Sequence, residues 1–284
     1  MPQEALQLQQ ATGSYGKVGA SILAVASGKG GVGKTHIAAN LGICMAASGK
    51  KVLLMDGDFS LGNLDIILDL NNKYNISHLI SGRKNIEEII HVGPEGLEVI
   101  CGTSGLEHMA NMTEFERHRL LQQLSILQEN NNVIIIDTAA GISKQVVGFC
   151  LAVDNVLVVT TPEATAMTDA YAMIKVLIGN GFNQRISLLV NMTENLAEGR
   201  KTYQQIANVA RRFLNANIYN AGILPRDERV MSAAKLRRPV VTAFPRSDIT
   251  ALITSIAAKL SNSQSKHLGS NGNGFFEKVV NWLF

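Results

Sequence analysis

Gly28-Lys29-Gly30-Gly31-Val32-Gly33-Lys34-Thr35 follows the apolar run Ile22-Leu23-Ala24-Val25-Ala26 and opens an apolar-periodic segment from Ile37 to Ala47. Strand, glycine loop and helix in that order form the context in which Gly-x4-Gly-Lys-Thr spacing cradles a polyphosphate. Glycines let consecutive backbone N–H groups curl round phosphate oxygens, and the helix dipole adds positive potential at the same point. Lys34 is placed to pair with the β- and γ-phosphates, the Thr35 hydroxyl to hold Mg2+, and His36 to edge the phosphates. A second lysine, Lys29, stands inside the loop.

Outward from this loop, apolar β-branched-rich runs recur at 22–27, 51–55, 97–101, 133–137, 155–160, 186–191 and 218–224. They are near-continuous rather than alternating, the pattern of strands buried on both faces in a parallel sheet. Helical periodicity fills the gaps, most clearly at 36–48, 114–129, 164–179, 199–215 and 246–260. The alternation predicts an α/β fold with a doubly wound, mostly parallel sheet of P-loop NTPase type and ligands at the strands' carboxyl ends. Residues 1–20 read as a polar, Gln-rich arm, 21–260 as one domain, 261–274 as a Ser/Asn/Gly linker, and 275–284 as a terminal amphipathic helix.

Composition narrows the functions. The chain of 284 residues is 46% apolar and 17% charged, enough for a substantial core. A net charge of +3 without a basic run argues against nucleic acid as a partner. Three dispersed cysteines, Cys44, Cys101 and Cys150, form no metal-binding pair; they read as small buried hydrophobes and fit a reducing cytoplasm. The first residues lack the pattern of a signal peptide, and no apolar stretch reaches membrane-spanning length.

Two further segments supply carboxylates. The second run ends in Asp56-Gly57-Asp58, one acid to support the Mg2+ shell and the other to orient or deprotonate an attacking water. The run Val133-Ile134-Ile135-Ile136-Asp137 places Asp137 to reach the metal, followed by a γ-phosphate-sensing loop, Thr138-Ala139-Ala140-Gly141. Phosphoryl transfer to water needs this set: a cradle, a metal, a positioned water and charge stabilisation.

On a helix, Phe275, Phe276, Val279, Val280, Trp282 and Leu283 share one face, with Phe284 beyond and Glu277, Lys278 and Asn281 opposite. Such a helix either docks on the domain or lies in a membrane surface. The soft linker, and aromatic density in a chain only 5% aromatic, favour the membrane reading.

The loop with its additional Lys29 resembles the deviant Walker A motif of the MinD/ParA family of ATPases. That resemblance implies ATP and Mg2+ as cofactors and a homodimer in the ATP state, because the family's signature lysine reaches the phosphates of the other subunit. Asp56 to Asp65 resembles the family's switch I, making Asp58 the water-orienting residue; Asp137 to Ile142 resembles switch II. Val190-Asn191-Met192 resembles the adenine-side element, with Asn191 on the base, and Leu224-Pro225-Arg226-Asp227 resembles the loop packing on the adenine. A guanine-specific Asn-Lys-x-Asp is absent, which favours ATP over GTP. The stretch Thr160 to Lys175 resembles the flagellar-number branch of the family, called FlhG, FleN or YlxH. The branch implies control of flagellar number or placement from the inner membrane surface, with an FlhF-type GTPase and flagellar basal-body or transcriptional regulatory proteins as partners. Division-site selection of MinD type and DNA partitioning of ParA type are the alternatives. The chain departs from the family's pattern at His36, at Ala139 in place of a glycine, and in the arm, which keeps Gln9-Gln10-Ala11 without the accompanying Asp and Arg.

Overall fold

A computed structural model describes residues 19–58, 62–71, 73–102, 113–263 and 274–283. The strands are β1 (Ser21–Ser27), β2 (Val52–Gly57), β3 (His91–Val92), β4 (Glu98–Ile100), β5 (Val133–Ala140), β6 (Asn155–Thr160), β7 (Arg185–Thr193) and β8 (Tyr219–Pro225). They form one sheet of eight strands in the order β3-β4-β2-β5-β1-β6-β7-β8. All neighbours run parallel except β3, which pairs antiparallel with β4. Each of the seven expected runs supplies one strand. β3, two residues long, is too short to leave a periodic signal.

The helices are α1 (Lys34–Ala47), α2 (Leu64–Ile67), α3 (Ile76–Ile80), α4 (Ile86–Ile89), α5 (Glu114–Asn130), α6 (Lys144–Ala152), α7 (Ala164–Gly179), α8 (Leu196–Leu214), α9 (Glu228–Lys235), α10 (Val240–Ala243), α11 (Asp248–Ser263) and α12 (Phe275–Leu283). Local chemistry starts several of them. Thr113 and Glu116 form a capping box at α5, Ser143 accepts from the Val146 N–H at α6, and Asn195 accepts from the Ala197 and Glu198 N–H groups at α8. α8 ends on Asn215 at φ 50°, a left-handed cap that asparagine tolerates. α11 runs to Ser263, so three residues expected in the linker belong to this helix.

Two apolar layers flank the sheet. Ile22, Ala24 and Ala26 of β1 face one layer with α5, α6, α7 and α8; Leu23 and Val25 face the other with α1, α9, α10 and α11. This two-sided burial is why the strands are apolar almost without interruption. The chain winds outward from β1 to β2 and β4, returns through β5, then builds β6, β7 and β8 on the far side. The reversal falls at β1, so the glycine loop after β1 occupies the topological switch point where ligands bind in open α/β sheets.

α12 packs on α6 and α5. Phe275, Phe276 and Val279 are buried in the layer beneath them. The described part of the face expected to meet a membrane, Phe275, Phe276 and Val279, is therefore covered by the protein's own apolar layer, as in the docked alternative of the two sequence readings. The side chains of Val280, Trp282 and Leu283, and all of Phe284, lie outside the described residues, as do the arm 1–18 and the linker 264–273. No helix among the described residues is long and apolar enough to cross a membrane.

Candidate nucleotide site

The glycine loop connects Ser27, the last residue of β1, to Lys34, the first of α1. Gly31 and Gly33 adopt φ of 79° and 86°, the left-handed region that favours glycine. Gly28 is required for another reason: a Cβ there would run into the backbone carbonyl of Asp169 in α7. Gly30 faces open space. Val32 is buried, and its carbonyl accepts from the Asn191 side-chain amide at 2.9 Å.

Lys34 points into the site, its Nζ 3.3 Å from Oδ1 of Asp137, with both side chains almost wholly buried. The Thr35 hydroxyl bonds to the same carboxylate. Burial raises the Asp137 pKa and outweighs the Lys34 charge that opposes it. Asp56, next to last in β2, lies directly opposite Asp137 on β5. Burial pushes its carboxyl up to about 7, against the stabilising N–H groups of Asp58 and Leu64 and with the Asp137 charge adding to the rise. Asp58 is half-buried, and its backbone N–H donates to Asp56 Oδ1 at 2.9 Å. The rest of the expected switch I, Phe59 to Leu61, lies outside the described residues. His36 is half-buried, and desolvation lowers its pKa, which suits a neutral helix-edge residue.

Lys29 does not join its own cradle. Its Nζ reaches Glu163 Oε2 at 2.8 Å and Thr165 Oγ1 at 2.9 Å, both at the start of α7. The bond to Lys29 holds the Glu163 carboxyl below the usual range, with the nearby Arg226 charge acting in the same direction. On the other side of the loop lie Asn191, near the end of β7, Pro225, the last residue of β8, and Arg226 just beyond it. The Arg226 N–H donates to Thr193 at 2.8 Å and its Nε–H to the Met192 carbonyl at 3.2 Å. Asp227 caps α9, accepting from the Arg229 N–H at 2.8 Å. Met192 itself has φ 57°.

The expected loop residues, Asp56, Asp58, Asp137 and Asn191 thus converge at one edge of the sheet, with Pro225, Arg226 and Asp227 flanking them. The tail residues stand apart. Several contributors carried no role in the sequence reading. Glu163, Thr165 and Asp169 act across more than 130 positions on the glycine loop. Gly62 and Gly102 close over Asp56, where a Cβ would crowd the carboxylate. Gly62 stood within the stretch resembling switch I; the only sequence signal of Gly102 was glycine itself.

A family model described as an AAA domain matches residues 20–187. The antiactivator FleN of Pseudomonas aeruginosa is 36% identical over 262 residues, covering 92% of each chain. The flagellum site-determining protein YlxH of Helicobacter pylori is 31% identical over 267 residues, covering 92% of this chain and 90% of its own. The chain belongs to the MinD/ParA family, in the branch of FleN and YlxH. Among solved structures, MinD of Pyrococcus horikoshii complexed with Mg-ADP superposes with a TM-score of 0.70 at 23% identity, covering 87% of this chain and 100% of that one. MinD in the MinC:MinD complex of Aquifex aeolicus gives 0.68 at 26% identity, covering 90% and 100%.

For a member of the MinD/ParA family the donor set fits a magnesium nucleotide. Thr35, Asp56 and Asp137 offer only oxygen, and two buried carboxylates with raised pKa lie where a cation would favour their ionised forms. No group of three or more His, Cys, Asp or Glu residues among the described ones would cage a metal alone. Mg2+ keeps waters and takes much of its coordination from phosphates, so this oxygen set suits it.

Proposed function

We propose that the protein is a Mg2+-dependent ATPase switch that dimerises on ATP, associates reversibly with the inner membrane surface, and regulates flagellar number or placement. Lys29 carries this reading. The loop already supplies Lys34 for its own phosphates, and Lys29 lies outside that cradle, free to serve a nucleotide bound by a second copy after release from Glu163 and Thr165. Phosphates in the cradle would engage the loop N–H groups and Lys34. Asp58, at the end of β2, is the residue to orient water, and Asp137 and Thr35 are those to hold the metal. When bound, Mg2+ supplies charge neutralisation to the transferred phosphoryl group.

Burial of Phe275, Phe276 and Val279 supports a membrane helix kept docked until the dimer forms. A single short amphipathic helix binds membranes marginally, whereas two on one dimer act as linked anchors. The flagellar role rests on the name of YlxH, a flagellum site-determining relative that covers almost the whole chain, and on the resemblance of the stretch Thr160 to Lys175 to the flagellar-number branch; an FlhF-type GTPase and flagellar basal-body or transcriptional regulators are the partners this role implies. Division-site selection is the second reading, favoured by the likeness to MinD, with which the chain shares its fold.

Two experiments test the proposal. Purified protein should pellet with anionic vesicles in Mg-ATP and much less in Mg-ADP, and deletion of 275–284 should abolish the difference. Equal pelleting in both nucleotides would sink the membrane switch. A deletion strain should show altered flagellar number with normal cell length; minicells with normal flagella would transfer the role to division-site selection.

A further inference from the structure

Met192 lies inside β7 in the left-handed region, at φ 57°. A methionine there is uncommon, and in a strand it must be held by its surroundings. Among the described residues, the four other non-glycine residues with positive φ lie outside strands: Asp69 and Arg237 in turns, Asn215 at a helix cap and Glu95 in a single 3-10 turn. Met192 is also an inserted residue. Asn191 faces Leu224 and Thr193 faces Pro225 on β8, so two steps along β7 match one along β8. This is a β-bulge, a device that re-aims a neighbouring side chain beside a site.

The neighbouring side chain is Asn191, whose amide donates to the Val32 carbonyl of the glycine loop at 2.9 Å. Asn191 Nδ2 lies 2.6 Å from where a Cβ on Gly33 would sit, and the Met192 methyl lies 3.5 Å from the same point. Both residues therefore press on the turn of the loop that leads into α1. Arg226 grips the bulge from β8 by two bonds. Its backbone N–H donates to the Thr193 carbonyl at 2.8 Å, and its side-chain Nε–H to the Met192 carbonyl at 3.2 Å.

We propose that Arg226 is a positioning residue: its guanidinium holds Met192 in the left-handed bulge, and the bulge aims Asn191 at Val32 and so sets the shape of the phosphate loop. This differs from a role for Arg226 in packing on the adenine, and it rests on the ATPase reading. Without the guanidinium, Met192 is released toward the extended conformation its side chain prefers, Asn191 loses its aim, and the loop loosens. Glycine at 192 adopts the same φ without cost and has no need of the grip.

The test is a double-variant cycle on the full chain, read by titration of a fluorescent ATP analogue in Mg2+ and by Tm without nucleotide. Arg226→Ala should weaken binding about tenfold, the scale of one hydrogen bond from a charged donor. It should also lower Tm. Met192→Gly should bind within about twofold of the natural protein, and Arg226→Ala with Met192→Gly should recover both binding and Tm to within that range. A double variant as weak as Arg226→Ala would show the guanidinium acting on the nucleotide directly and overturn the proposal, as would an Arg226→Ala protein indistinguishable from the natural one. If the natural protein bound no ATP, the ATPase reading would fail, while the Tm cycle would still decide the bulge.

Discussion

Burial sets the protonation behaviour of Asp56. Its carboxyl ionises near 3.8 in a free chain and near 7 in the fold, so between those values the folded protein holds the additional proton. Stability must therefore decline as pH climbs through that window and level off above it. The raised pKa of Asp137 acts in the same direction. Nucleotide-free protein should lose several degrees of Tm between pH 5 and pH 8, and Asp56→Asn should flatten the curve. Mg-ATP should flatten it too, because a cation favours the ionised carboxylates; a Tm that rises over this range would contradict the assignment. Gly28 makes a steric prediction at the same scale. Gly28→Ala places a methyl against the Asp169 carbonyl, part of helix backbone that cannot yield without moving α7. It should lower ATP affinity at least tenfold and reduce Tm, measured by titration and thermal unfolding, whereas Gly30→Ala, facing open space, should change both little.

α12 is the element whose context decides its behaviour. Its buried Phe275, Phe276 and Val279 each contribute roughly 1.5–3 kcal/mol of apolar burial. Ordering a short helix at the end of a linker offsets much of that gain, so the docked state can be displaced. Phe275→Ala with Phe276→Ala should release α12 without unfolding the domain: limited proteolysis after residue 263 should accelerate several-fold and the fluorescence of Trp282, the chain's single tryptophan, should change while Tm moves little. Unchanged proteolysis and fluorescence would place the anchoring elsewhere. The same helix marks the boundary of what sequence reveals. Its amphipathic pattern was plain, but pattern alone does not say whether an apolar face meets lipid or the α5–α6 layer. The buried strands were legible because two-sided cover leaves uninterrupted runs such as Val133 to Ile136. α2, α3, α4, α9 and α10 were not read because one or two turns are too few for a period to emerge. The cradle was legible because its residues are contiguous. The Lys29–Glu163 pair was hidden because its partners are joined by α7's packing across 134 positions.

At the scale of the molecule, the proposed switch assigns the two loop lysines to different copies. Lys34 is buried beside Asp137 within its own loop; Lys29 is partly exposed and tied to exposed Glu163. An exposed ion pair contributes roughly 0–1 kcal/mol, so the tie is weak enough for phosphates of a facing subunit to replace it. Lys34→Ala should therefore abolish ATP binding by a single copy. Lys29→Ala should leave that binding within about threefold, while light scattering in Mg-ATP finds only monomers. If Asp58 orients the attacking water as proposed, Asp58→Ala should bind ATP and accumulate as a dimer, because the hydrolysis step of the proposed switch is slowed. Vesicle binding should follow the dimer rather than the nucleotide: low for Lys29→Ala with ATP, sustained for Asp58→Ala. In the proposed switch, steepness would come from linking two marginal anchors, since a second helix would insert from a high effective concentration once the first is held. The tail carries one Glu and one Lys, so raising salt should weaken this step little. An Asp58→Ala dimer that stays off vesicles with its tail intact would separate dimerisation from membrane binding and break the switch at its last link.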